Sequence, residues 1–243
     1  MESEQSSPYQ KMGEAYAIGA ATKVELYVKQ GLTTGYNTVY ISLSDSVSNR
    51  AIENAQITLL PLMDMGTMKH SAPVENPSGI ATNKLFTSAM VFTMAWGSMG
   101  SWAVEVAVEH SGKKGKATVP LTDTESAKSR LKSFVSKADN SKYIVAMLQP
   151  EAPKVGVNDL ELAIYKAKNG MEYPADSSLT LTLTPEMPTM GHGSPNNVSP
   201  THTSKGHYKG KVNFTMTGLW HLNLEFKSGT TLANSGNYFE INF

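Results

Sequence analysis

Apolar and polar residues alternate along this chain in short stretches separated by turn residues. Leu179, Leu181 and Leu183 alternate with Thr180, Thr182 and Thr184. That period of two turns one face of a strand to a core and the other to water. Trp102, Val104, Val106 and Val108 follow the same rule, as do Trp220, Leu222, Leu224 and Phe226. Between such runs lie clusters such as Glu75-Asn76-Pro77-Ser78-Gly79 and Gly193-Ser194-Pro195-Asn196-Asn197. Many short strands with turn residues between them predict an all-β sandwich. One stretch reads in two ways. Thr122-Asp123-Thr124-Glu125 fits a capping box opening a helix with Leu131, Phe134 and Val135 on one face. The alternative is a hairpin of Leu131–Val135 and Tyr143–Leu148 turning at Asp139-Asn140, after a linker near residues 120–128. The hairpin is preferred for the later part.

The pattern occurs twice. Gly35-Tyr36-Asn37 matches Gly156-Val157-Asn158, and each precedes alternating apolar residues: Val39, Ile41 and Leu43, then Leu160, Leu162 and Ile164. Ile57–Met63 matches Leu181–Met187, Met68-Lys69-His70 matches Met190-Gly191-His192, Phe92-Thr93-Met94 matches Phe214-Thr215-Met216, and Trp102 matches Trp220. Landmarks recurring in one order at nearly constant offset mark a duplication. The 243 residues then hold two domains of ordinary size. They are expected at 10–122 and 123–243.

Composition narrows the chemistry. Lys+Arg and Asp+Glu both number 21, so the net charge is zero. Binding to nucleic acid, which needs a cationic surplus against phosphates, is not expected. The one basic cluster, Lys113, Lys114 and Lys116, reads as a solvated hairpin tip. The absence of cysteine excludes disulfides, thiolate zinc sites and cysteine nucleophiles. It also agrees with an extracytoplasmic setting. No segment has the roughly 18 apolar residues of a membrane span. The polar start, Met1-Glu2-Ser3-Glu4-Gln5-Ser6-Ser7-Pro8, reads as the tether of a processed lipoprotein with a lipid anchor, or as an ordinary frayed terminus.

The most unusual composition follows each Thr/Leu strand. The second copy reads Pro185-Glu186-Met187-Pro188-Thr189-Met190-Gly191-His192; the first reads Pro61-Leu62-Met63-Asp64-Met65-Gly66-Thr67-Met68-Lys69-His70. Thioether sulfur is a soft, neutral ligand suited to Cu(I), and imidazole suits either oxidation state of copper. Met187, Met190 and His192, and in the first copy Met63, Met68 and His70, are therefore the candidate metal ligands. The competing reading makes Met63 and Met187 plugs at the end of a sandwich. Met94 and Met216 share a face with Phe92 and Phe214 and are expected in the core. His221 alternates with Trp220 and points outward; His202 and His207 follow the motif and could complete a site, but solvated side chains are the preferred reading.

The Met-Pro-x-Met-x-His run, the Gly-x-Asn before an early strand and the late Gly218-Leu219-Trp220 resemble the YtkA-like/FixH-like domain family. The likeness covers roughly residues 143–228 and, more weakly, 24–108. It implies an immunoglobulin-like sandwich outside the cytoplasm, with links to copper handling or oxidase assembly. The first copy departs from it, with Asp64 in place of Pro188, two inserted residues, and Lys69 in place of Gly191.

Hydrolytic chemistry has no basis here. Gly191-His192-Gly193-Ser194-Pro195 ends in proline where a nucleophile elbow needs glycine, and no zinc-binding histidine pair occurs. Asn197-Val198-Ser199 and Asn213-Phe214-Thr215 fit the glycosylation sequon. The reading is an all-β protein of two tandem immunoglobulin-like β-sandwich domains, non-enzymatic and extracytoplasmic, binding Cu(I) through Met/His loops. The alternative is a structural or adhesive envelope module that engages a protein or glycan partner.

Overall fold

The computed structural model describes residues 8–97, 100–121 and 130–243. The expected tether at the start, the domain boundary at 122/123 and the capping box at Thr122–Glu125 lie largely or wholly outside them. The chain divides into two compact units, Met1–Ser129 and Arg130–Phe243.

The first unit contains β1 (Gln10–Ala17), β2 (Thr22–Val28), β3 (Gly35–Asp45), β4 (Gln56–Asp64), β5 (Lys69–Ser71), β6 (Val74–Glu75), β7 (Phe86–Phe92), β8 (Ser101–His110) and β9 (Lys113–Pro120). The second contains β10 (Leu131–Val135), β11 (Lys142–Gln149), β12 (Gly156–Lys166), β13 (Leu179–Met187), β14 (His192–Gly193), β15 (Val198–Ser204), β16 (His207–Phe214), β17 (Leu219–Ser228) and β18 (Thr231–Asn242). One sheet of the first unit runs β1-β2-β3-β7-β6 and the other β5-β4-β8-β9. The second unit repeats both orders as β10-β11-β12-β16-β15 and β14-β13-β17-β18. Without the leading strand, this is the A-B-E-D and C′-C-F-G order of an immunoglobulin-like sandwich. The preferred hairpin is present, because Leu131–Val135 pairs with Lys142–Ala146 as antiparallel strands.

Period-two alternation builds both cores. β13 is buried at every odd position from Leu179 to Met187, and β17 at Trp220, Leu222, Leu224 and Phe226. These face Val145, Leu160, Leu162, Ile164 and Val212 of the other sheet. Side chains also tie the sheets together. Leu59 N–H donates to Asn76 Oδ1 at 2.8 Å, and Leu183 N–H to Ser199 Oγ at 3.0 Å. β14 pairs with β13 only at Glu186 and Met187, so the rest of that strand edge needs such acceptors.

The repeated Gly-x-Asn has a structural explanation. Gly35 and Gly156 have φ of 115° and 101°, a conformation open to glycine. It lets the chain fold back on the asparagine two residues later. Asn158 Oδ1 accepts from Lys154 N–H at 3.0 Å, and its Nδ2 donates to Lys154 O at 2.7 Å and Gly156 O at 2.8 Å. Asn37 makes the same three bonds to Thr33 N–H, Thr33 O and Gly35 O, each 2.8 Å long.

Tyr208 is buried in the second core, where its hydroxyl accepts from Leu179 N–H at 3.3 Å. Burial, and after it the charge of Asp176, pushes that hydroxyl up to about 12. The folded state therefore holds the phenol proton more tightly than the unfolded chain does. This contribution is intact below about pH 10, the ordinary tyrosine value, and is lost as pH rises through about 12. An alkaline absorbance titration should show a late-ionising tyrosine that Tyr208→Phe removes. A variant titrating like the wild type would contradict this assignment.

Candidate functional site

Each unit has its methionine/histidine turn at one end of the sandwich, beside the buried tryptophan. In the second unit β13 and β14 pair at Met187 and His192. The turn between them is closed by Met190 N–H and Gly191 N–H, which both donate to Met187 O, at 3.1 and 2.9 Å. Trp220 is the second residue of β17 and is fully buried. Its indole Nε1 donates to Met216 O at 3.0 Å, which hangs the β16–β17 turn from the same ring. The His192 ring meets Trp220 edge-on at 6.1 Å. Since a carbonyl only accepts, the 2.9 Å contact between His192 Nδ1 and Gly193 O makes Nδ1 the N–H. In the neutral ring Nε2 then carries the lone pair.

The candidate ligands separate into two groups. Met63 is 0% exposed and Met187 is 4% exposed, both in the cores. Met68 is 56% exposed and Met190 is 60% exposed, both on the turns. His70 and His192 are half-buried. The side chains of Met187 and Met190 therefore lie on opposite sides of the turn surface, one in the core and one in solvent. Gly218 explains part of this: its φ is 129°, and a Cβ there would stand 2.9 Å from Met187 Cε. The Gly218-Leu219-Trp220 run is thus shaped around the buried methionine.

The first unit is built differently above the same frame. Met63 pairs across the sheet with both His70 and Trp102, and Trp102 Nε1 donates to Met94 O at 3.0 Å. Asp64, at the place of Pro188, pairs with Lys69, at the place of Gly191, across 3.3 Å. The Gly66 N–H, and after it Lys69, holds the Asp64 carboxyl below the usual carboxylate range. Trp96, inside the longer connection to β8, packs on Phe92 at 4.9 Å and on Trp102 at 6.4 Å. Met65 and Met94 are half-buried against this core. A cleft of about 460 Å3 beside it is lined by Asp64, Trp96, Gly97, Gly100, Ser101 and Leu121.

Other expectations need correction or refinement. Met216, expected in the core, is 41% exposed instead, because its backbone, not its side chain, serves the tryptophan. His207 is not a freely solvated residue: its Nδ1 lies 2.8 Å from Glu161 Oε1. His202 is exposed, as expected, and rests edge-on against Tyr208. His221 points outward and stacks on Tyr238 at 4.0 Å. Lys114 and Lys116 pair with Glu109 and Glu105 on the exposed β8–β9 hairpin. Both sequon asparagines are engaged locally. Asn197 Nδ2 donates to Ser194 O at 2.6 Å, and Asn213 Nδ2 to Pro195 O at 3.1 Å. Among the described residues no group of three or more His, Asp or Glu side chains could hold a metal ion. No helix among them is long and apolar enough to cross a membrane.

Residues 137–225 match the YtkA-like family. The match lies inside the second unit and spans its methionine/histidine turn, Asn158 and Trp220. Comparison with curated proteins gives no match. Among solved structures the chain is similar to the Escherichia coli adhesin FdeC, at 13% identity and a TM-score of 0.30, over 93% of this chain and 65% of that one. It is also similar to domains 5-6 of the S-layer protein SbsC, at 14% identity and a TM-score of 0.33, over 96% of this chain and 99% of that one. Scores this low speak to no shared role.

Proposed function

We propose that this protein is a non-enzymatic, extracytoplasmic binding module whose second unit takes Cu(I) at its methionine/histidine turn. The observation that carries the reading is what remains of that turn once the fold has been accounted for. Met187, Gly218, Trp220, Gly156 and Asn158 each have a packing or backbone role. The Met190 side chain has none: it is 60% exposed on a turn that its own backbone N–H and that of Gly191 already close. An exposed thioether two residues before a half-buried histidine offers soft donors that suit Cu(I). Zinc is expected to bind poorly, since it prefers thiolate, imidazole and carboxylate, and one imidazole is offered. The absence of cysteine and the YtkA-like match support a role outside the cytoplasm.

A second reading, a structural or adhesive envelope module with a protein or glycan partner, draws on the burial of Met63 and Met187. Those two methionines already act as packing. A competition titration against a weak Cu(I) chelator under reducing conditions separates the readings. The wild type is expected to withdraw copper from the chelator. Met190→Leu, nearly constant in volume and apolarity, should lower that affinity without changing stability. If the wild type withdraws none, or the variant binds equally well, the module is structural and the copper reading is wrong.

A further inference from the structure

We infer that the Cu(I) site of the second unit is formed by Met190, Met216 and His192 Nε2 above the Trp220 indole, and that Met187 is not a ligand. The inference rests on the proposed copper reading and changes its ligand set. It starts from a candidate ligand, Met187, that is buried and an expected core residue, Met216, that is exposed. Met187 stands in the core at 4% exposure, and its Cε fills the space that a Cβ at residue 218 would need. To reach a metal in solvent it would have to leave a packed cavity. Met216 is 41% exposed, in the turn after β16.

What brings Met216 to the right place is the indole. Trp220 Nε1 binds Met216 O, so the turn is fixed over one edge of the ring. His192 meets the same ring edge-on at 6.1 Å, and Met190 sits on the turn that leads into His192. Two loops from different strand connections, β13–β14 and β16–β17, thus meet at one buried aromatic. Between them the two loops carry two exposed thioethers, Met190 and Met216, and one imidazole, His192, a donor set that suits a soft d10 ion. The buried indole gives the two loops a shared apolar, low-dielectric wall. Pro188 and Gly191, with its φ of 63°, shape the turn that carries Met190 without adding a competing charge.

The first unit does not offer this set. Met94, the counterpart of Met216, is half-buried against the core, and Trp96 lies against Trp102. The Asp64–Lys69 pair occupies the turn where the second unit has Pro188 and Gly191. One Cu(I) per chain is therefore expected, at the second unit.

The test is a competition titration of the full chain with the Cu(I) complex of bicinchoninate, using wild type, Met190→Leu, Met216→Leu, Met187→Leu and Met68→Leu. Wild type should take one equivalent. Loss of a supporting partner alone weakens a metal site by about 10–100-fold, so loss of a ligand at Met216→Leu or Met190→Leu should weaken binding at least tenfold. Met187→Leu and Met68→Leu should bind like the wild type. Met216 is exposed, so its variant keeps the fold, and circular dichroism checks this for all four. If Met216→Leu binds like wild type while Met190→Leu is weakened, copper is bound but the ligand set is wrong. A folded Met187→Leu that loses copper would overturn the ligand set in the same way. If the wild type takes no copper at all, the underlying reading fails and this inference falls with it.

Discussion

Trp220→Ala is expected to destabilise the second unit by about 3–5 kcal/mol, the range for emptying a large aromatic site in a core. The indole is fully buried and packs on Phe214 at 5.4 Å. It also holds the β16–β17 turn through the 3.0 Å bond to Met216 O. Alanine removes the packing, opens a cavity at the end of the sandwich and leaves that carbonyl without its donor. Trp220→Phe should recover most of the loss, retaining ring packing but not the hydrogen bond, which is worth about 1 kcal/mol. Urea unfolding of the full chain, followed by circular dichroism, measures both. A loss below about 1 kcal/mol for alanine would mean that the tryptophan does not organise this end of the unit. Trp102 stands in the same position in the first unit, donating to Met94 O.

Asn158→Ala should cost about 2–4 kcal/mol, since buried groups left without partners cost about 1–3 kcal/mol each and some of them will find water. The side chain is buried and satisfies Lys154 N–H, Lys154 O and Gly156 O at once. Asn158→Asp tests the chemistry more sharply. Its carboxylate can still accept from Lys154 N–H, but it would face two carbonyl oxygens where the amide now donates. At neutral pH that variant should be at least as unstable as the alanine one, and it should recover partly on acidification, when the carboxyl regains a proton to donate. Equilibrium unfolding at two pH values reads this out. An aspartate variant as stable as wild type at neutral pH would show that the two carbonyls are satisfied by water. Asn37, with its three 2.8 Å bonds, should behave in the same way in the first unit.

How far the candidate site could be read from sequence is clearest at Met187. The odd positions Leu179, Leu181, Leu183 and Pro185 are buried, and the same alternation carried two residues further places Met187 in the core. The signal is present, but soft-ligand chemistry in the Met-Pro-x-Met-x-His run draws Met187 into the candidate metal set. Met63 follows the same rule at the end of β4. Met216 errs in the opposite direction. It lies two residues beyond Phe214, so alternation assigns it to the core, but the strand ends at Phe214 and the period ends with it. Periodicity holds only as far as the ladder of hydrogen bonds that enforces it.

The sequence by itself determined the strands, the duplication and the identity of both buried tryptophans, because side-chain alternation and turn residues act locally. It also marked Gly-x-Asn as a repeated feature, though not as a hydrogen-bonded turn. Only the tertiary structure decided which sulfurs reach solvent and which histidine nitrogen is engaged. It alone showed that the β13–β14 and β16–β17 turns meet at one indole. Those facts depend on contacts between residues about thirty positions apart, such as His192 and Trp220, and on strand ends set by pairing with other strands. No local pattern carries that information, since the same methionine is a core plug or an exposed donor according to where its strand stops.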